Sequence, residues 1–163
     1  MILVAIDPGS GGTGYAWGNT ALPYPSEVGV VSSSEKSWEK KAQEIVSETM
    51  SHISDACDVL AVEYPFIAGI GRAGASARRG DVIKLALLAG GIGFGFKGRT
   101  LWVPVQDWKG QMSKDLSTSR TRKRLRTLGA PGLDKLENLA DHAWDAVGIW
   151  MFVQGSDMVQ APR

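Results

Sequence analysis

The start of the chain limits most what it can become. Ile2 to Ile6 is an unbroken β-prone apolar run that ends at Asp7, and a Pro-Gly-Ser-Gly-Gly turn precedes Thr13 to Trp17, where small and aromatic residues resume. Two β-prone runs around a glycine-rich turn read as a hairpin. Val28 to Val31 adds a third short strand after the Pro-containing connection Leu22 to Ser26. Ser37 then introduces Trp38, Ala42, Ile45, Val46, Met50 and Ile53 at helical spacing, with Glu39, Lys40, Lys41, Glu44 and Glu48 on the polar side. Further on come a fourth strand over Asp58 to Glu63, a glycine-rich loop over Pro65 to Gly74 and a second helix over Ala75 to Ala89. A fifth strand over Arg99 to Val105 leads into a basic stretch, and a last helix covers about Leu136 to Val153. This order predicts one α/β domain over 1–153, a five-stranded mixed central sheet flanked by helices, with 154–163 as a C-terminal tail.

A chain of 163 residues can bury a sizeable single core without covalent staples. Cys57 is its one cysteine, so no internal disulfide can form, a reducing interior is the natural setting, and a metal would rely on oxygen ligands. No basic stretch precedes the first apolar run, and that run stops at Asp7, too soon for a signal peptide or a membrane span. The expectation is a soluble, cytoplasmic protein with no membrane partner. Net charge is only +1, yet residues 66–126 hold thirteen Lys/Arg against three Asp/Glu, while the remainder holds five against fourteen. A basic middle segment of this kind suits phosphate contacts, and an acidic remainder suits cations; a solvated basic surface is the plainer alternative.

The acidic residues carry the chemistry. Asp7 closes a strand before a Pro-Gly turn, where Asp also serves as an ordinary turn former. Glu63 ends the run Val59, Leu60, Ala61, Val62 and is followed by Tyr64, Pro65 and Phe66. A carboxylate among such neighbours must be paired, protonated or bound to a cation, because burying it bare costs several kcal/mol. In the last helix, Asp134 and Glu137 look like a capping pair, which leaves Asp141 and Asp145 free of that duty. Leu136, Leu139, Ala140, Ala143, Ala146, Val147 and Trp150 form an apolar stripe, and Asn138, Asp141, His142 and Asp145 fall together opposite it. Two Asp at i, i+4 repel by about 0.2–0.5 kcal/mol, a cost that a shared cation reverses.

In order and spacing, Asp7 followed by PGSGGTGYA, a later strand ending VEYPF and a late helix reading DHAWDAVGIW resemble the RuvC-type Holliday-junction resolvases, especially their phage-encoded relatives. The likeness spans about residues 1–153. It implies an RNase H-like fold with the first and fourth strands adjacent at the middle of the sheet, so that Asp7 and Glu63 share cations and Asp141 and Asp145 arrive from the last helix. Members of that family carry Asp or His three residues before the final Asp; here that residue is His142, and Asp141 lies four before. Oxygen-seeking Mg²⁺ favours Asp141, with His142 then positioning water or phosphate or ligating Mn²⁺, and the sequence leaves the choice open. The stretch IAGIGRAGASARRGD offers Arg72, Arg78 and Arg79 to DNA, and PVQDWKGQMSK points to Lys109 and Lys114 as phosphate contacts. Arg120, Arg122, Lys123, Arg124 and Arg126 either extend that surface or form a solvated basic helix; Trp102 and Trp108 either stack on bases or belong to the core.

The resemblance thus implies a crossover-junction endonuclease with two Mg²⁺ ions per site, Mn²⁺ able to substitute, leaving a 5′ phosphate and a 3′ hydroxyl. It also implies a homodimer on four-way DNA, with Leu87 to Phe96 as a candidate pairing surface, and no nucleotide cofactor. Host cytoplasm is the expected setting for a phage-encoded protein. Alternatives are a general RNase H-like nuclease on hybrids or flaps and a DNA-binding module without catalysis. An actin-like ATPase or sugar kinase, suggested by the likeness of DPGSGGTG to a phosphate-binding hairpin, would need about twice this length.

Overall fold

β1 (Ile2–Asp7) lies at the centre of a five-stranded sheet because its side chains are buried on both faces. It pairs antiparallel with β2 (Thr13–Asn19), which pairs antiparallel with β3 (Glu27–Val31). On its other side it runs parallel to β4 (Val59–Tyr64), which runs parallel to β5 (Arg99–Pro104), giving the order β3-β2-β1-β4-β5. The structure, a computed structural model, describes residues 1–53, 56–65, 80–132 and 140–159.

Alternation along the strands divides the core into two layers. Val4, Ile6, Leu60 and Val62 face α1 (Trp38–His52) and α2 (Asp81–Gly95), whose Ala89 and Ile92 join the same cluster. Leu3, Ala5, Val59, Ala61 and Val103 face the opposite way, onto α5 (Asp141–Gln154), which contributes Ala146, Val147, Ile149, Trp150 and Val153. The short helix α3 (Val105–Trp108) follows β5 directly, and α4 (Lys114–Thr127) packs on α5 through Leu125. The five-strand expectation holds. No helix among the described residues is long and apolar enough to cross a membrane.

The helices depart most from the sequence expectation. The helix α2 starts at Asp81, after Gly80 in the left-handed region, and continues to Gly95 rather than ending at Ala89; the expected first residues, from Ala75, lie outside the described residues. Its glycines, each costing about 1 kcal/mol of helix propensity against alanine, are tolerated because they admit neighbours: a β-carbon at Gly93 would overlap the Trp102 ring, and one at Gly91 would stand 3.0 Å from Val46. The last helix starts at Asp141, since Ala140 before it is extended at φ −60°, ψ 156°; the expected start near Leu136 lies outside the described residues. Asp134 and Glu137 lie outside the described residues. The basic stretch after β5 contains α4, a helix over Arg120 to Arg126 as in the second of the two expectations for those residues, with Ser117, Thr121 and Leu125 as its buried positions. At the C-terminus, Met158 packs against the core and its carbonyl accepts from Arg99 at 2.7 Å.

Candidate active site

The last pair in register between the two central parallel strands is Ile6 with Val62, so Asp7 and Glu63 are the next residue on each. Period-two alternation puts both on the face of Leu3, Ala5, Val59 and Ala61, the face that α5 covers. At the same level on β2, Gly14 pairs with Asp7. A β-carbon at Gly14 would overlap the His142 carbonyl, so this glycine lets the first turn of α5 lie directly on the sheet. That close approach delivers His142 Nδ1 to within 2.6 Å of Asp7 Oδ2, with the carboxylate accepting. The other ring nitrogen, Nε2, lies over Gly9, where a β-carbon would stand 2.7 Å away.

One turn further along α5, Asp145 enters the same region. Asp7 and Asp145 are only 5% and 7% exposed. Lys109 Nζ lies 3.1 and 3.2 Å from the two oxygens of Asp145. The Trp108 indole N–H donates to Glu63 Oε2 at 2.6 Å. Trp108 sits in a notch of α5 at Gly148, where a β-carbon would stand 2.5 Å from its ring. From sequence, Trp108 is a base stacker or a core residue; its bond to a carboxylate has no signal there beyond the position four residues after the Pro104 that ends β5.

The electrostatics follow from this crowding. Burial pushes the Asp7 carboxyl above its ordinary value, and the Asp145 charge adds to that, while the hydrogen bond and charge of His142 oppose it. Glu63 is pushed up to about 8, first by burial and then by the Asp7 charge, against the opposing Trp108 bond and Lys109 charge. His142 is raised, chiefly by its hydrogen bond to Asp7. Among the described residues no group of three or more His, Cys, Asp or Glu stands ready to hold a metal ion. Each carboxylate is engaged by a protein donor: Asp7 by His142, Glu63 by Trp108 and Asp145 by Lys109. The donor set nonetheless fits a hard divalent cation, since the buried Asp7 and Asp145 and the half-buried Glu63 supply oxygen ligands, repel one another and gain from added positive charge.

Asp141 is placed differently from His142. Its side chain is 68% exposed and reaches Lys114 Nζ at 3.4 Å, at the rim of the site. Arg122, Lys123 and Arg126 of α4 line a cleft of about 610 Å³ together with Asp115 and Asp141. Arg122 lies 4.7 Å over the Trp144 ring, and its buried Nε has no hydrogen-bond partner among the described residues. Arg120 and Arg124 face a separate cleft of about 290 Å³, shared with Trp108, Met112 and Gly148. Trp102 is on the opposite side of the sheet, against Phe94 and Tyr64. Arg72, Arg78 and Arg79 lie outside the described residues.

Neither a family model nor a curated protein sequence matches the chain. Solved structures do. T. thermophilus RuvC in complex with a Holliday junction substrate superposes with a TM-score of 0.66 at 16% identity, covering 99% of this chain and 98% of that one. The fold is that of the RuvC resolvases, an RNase H-like fold. A second Thermus thermophilus RuvC structure gives 0.58 at 19% identity over 93% of this chain and 92% of that one. The fowlpox virus resolvase with substrate Holliday junction DNA gives 0.50 at 13% identity over 96% and 100%. The placement of Asp7, Glu63, His142 and Asp145 at one end of the two central strands is therefore a property of this chain's own residues on that fold.

Proposed function

We propose that residues 1–153 form a divalent-metal-dependent endonuclease domain that resolves four-way and other branched DNA by paired symmetric nicks. The observation that carries this reading is the convergence of Asp7, Glu63 and Asp145 with His142 beside a basic face formed by Lys109, Lys114 and α4. The fold neighbours bound to junction DNA support the substrate class. Asp7, Glu63 and Asp145 would hold two Mg²⁺, with Mn²⁺ able to replace them, and His142 completes the site. Asp141, at the exposed rim, contributes charge there. Cations held there would supply electrostatic stabilisation of the phosphoryl group and of the leaving 3′ oxygen, and hydrolysis by water would leave a 5′ phosphate and a 3′ hydroxyl.

The chain's own groups do the rest. Asp7 fixes the His142 ring through Nδ1 and leaves Nε2 to hold or pass a proton. Trp108 fixes one oxygen of Glu63 and leaves the other for a ligand. Lys114, Arg120, Arg122, Lys123 and Arg124 contact phosphates, joined by Arg72, Arg78 and Arg79. Paired nicks need two sites, and the exposed Ile83, Leu87 and Phe94 of α2 beside Trp102 favour a homodimer through that helix. Sedimentation that finds a monomer, alone and on a junction, would remove the dimer.

The deciding experiment incubates the protein with a synthetic four-way junction labelled on each strand in turn, with Mg²⁺, Mn²⁺ or EDTA, beside Asp7→Asn and Asp145→Asn. Metal-dependent, symmetric nicks absent in both variants are expected. Cutting of a hybrid or flap in place of the junction would keep the chemistry and change the substrate. Tight junction binding without cutting in any metal would leave a binding module.

A further inference from the structure

Lys109 is an unusual neighbour for a cation site. Its ammonium contacts both oxygens of Asp145, at 3.1 and 3.2 Å, in a pair whose side chains are only 14% and 10% exposed. It lies 5.1 Å over the Trp108 ring, and its charge also acts on Glu63. Its backbone N–H caps α3 by donating to Val105 at 3.1 Å, so the residue is anchored just past the end of β5. We propose that Lys109 is a built-in cation of the acidic site, which holds the Asp145 carboxylate until a divalent metal takes it over, so that metal and Lys109 compete for Asp145. The inference rests on the metal-site reading above.

The physical argument is one of charge and reach. Carboxylates crowded in a buried site repel, and the protein without metal must neutralise part of that charge or lose stability. An ammonium is a compact point charge on a flexible four-carbon stem, able to withdraw without moving the backbone that carries it. The ammonium sits against both oxygens of Asp145, where a divalent ion ligated by that carboxylate would also sit, and two cations so close repel. Binding of the ion and retention of the Lys109 contact are therefore antagonistic, a coupling between two events for which factors of about 5–150 are typical.

Mn²⁺ titration of the free protein, read by the electron paramagnetic resonance of unbound Mn²⁺, tests this. Lys109→Met keeps length and removes charge, and it is expected to tighten Mn²⁺ binding by at least about tenfold; Lys109→Arg is expected to keep or weaken the wild-type affinity. Because Lys109→Met leaves Asp145 without its partner and could unfold in metal-free buffer, melting curves are taken with and without Mn²⁺. A larger Mn²⁺-induced rise in Tm for Lys109→Met than for wild type reports the same gain. Equal or weaker Mn²⁺ binding by Lys109→Met, with wild-type binding intact, overturns the competition alone. Absence of Mn²⁺ binding in wild type and variants alike overturns the metal site itself.

Discussion

Trp108 donates its indole N–H to Glu63 across 2.6 Å, and it can do so only because the helix beside it is cut away at Gly148. One glycine on α5 thus fixes the orientation of a carboxylate on β4 through a residue of α3. Trp108→Phe removes the donor and leaves most of the ring. Cleavage is expected to fall about 10–100-fold, the usual size for a lost outer partner of a ligand, with weaker Mn²⁺ binding. Gly148→Ala is expected to act in the same direction, with about 1–3 kcal/mol of overpacking visible in the melting curve. Unchanged cleavage in Trp108→Phe would remove Trp108 from the positioning of Glu63.

The buried titratable groups predict an inverted pH dependence of stability. Glu63 is raised from 4.5 to about 8, so between those values the folded protein holds a proton that the unfolded chain has released, and stability falls as pH rises. Asp7, also raised, contributes with the same sign above its ordinary value. His142 is raised by Asp7, so its contribution is fully present below 6.5 and is lost as pH rises through its folded value. In EDTA, Tm is expected to decrease steadily from pH 5 to pH 8.5. Glu63→Gln should flatten that slope, and excess Mg²⁺ should oppose it by favouring the ionised carboxylates. A Tm that climbs with pH in EDTA would contradict the burial of these groups.

His142 and Asp141 are adjacent in sequence and have different surroundings. His142 bonds the buried Asp7, whereas Asp141 makes one surface pair with Lys114, of a kind worth about 0–1 kcal/mol. His142→Ala is expected to reduce single-turnover cleavage by at least about a hundredfold, within the range for a lost acid–base group. Asp141→Ala is expected to change it only a few-fold. The reverse ranking in one junction-cleavage assay would move the fourth site position to Asp141.

Much of this was legible in the sequence because burial writes itself into strands. Ile2 to Ile6 and Val59 to Val62 are apolar without interruption, so both were readable as strands, and the acid at the end of each stood out. Helix starts were less legible. Ala140 fits a helical stripe by composition but is extended, and the glycines of α2 oppose helix by propensity while packing requires them. The different surroundings of Asp141 and His142 go with the close approach at Gly14, a contact between residues 128 positions apart that no local pattern records. Trp108 was visible as an aromatic residue; its partner Glu63 was not, since a parallel sheet and a four-residue helix intervene.

The basic face of α4 makes a prediction about salt. Arg122 and Lys123 line the cleft of about 610 Å³ that adjoins Asp141, while Arg120 and Arg124 look into the other, so the helix presents cations on two sides. If the first cleft holds backbone phosphates, each contact releases counterions and adds about 0.9 to the slope of log affinity against log salt. Arg122→Gln and Lys123→Gln are each expected to lower that slope by about 0.9 and to weaken junction and duplex binding alike, because phosphates carry no sequence or branch information. Arg122 should also weaken the core slightly when lost, since its guanidinium covers the Trp144 ring. Lys123 has no such contact among those described, so its substitution separates phosphate binding from stability. Filter binding across a series of salt concentrations supplies the slope; Lys123→Gln with an unchanged slope would place the phosphate track elsewhere on the basic segment.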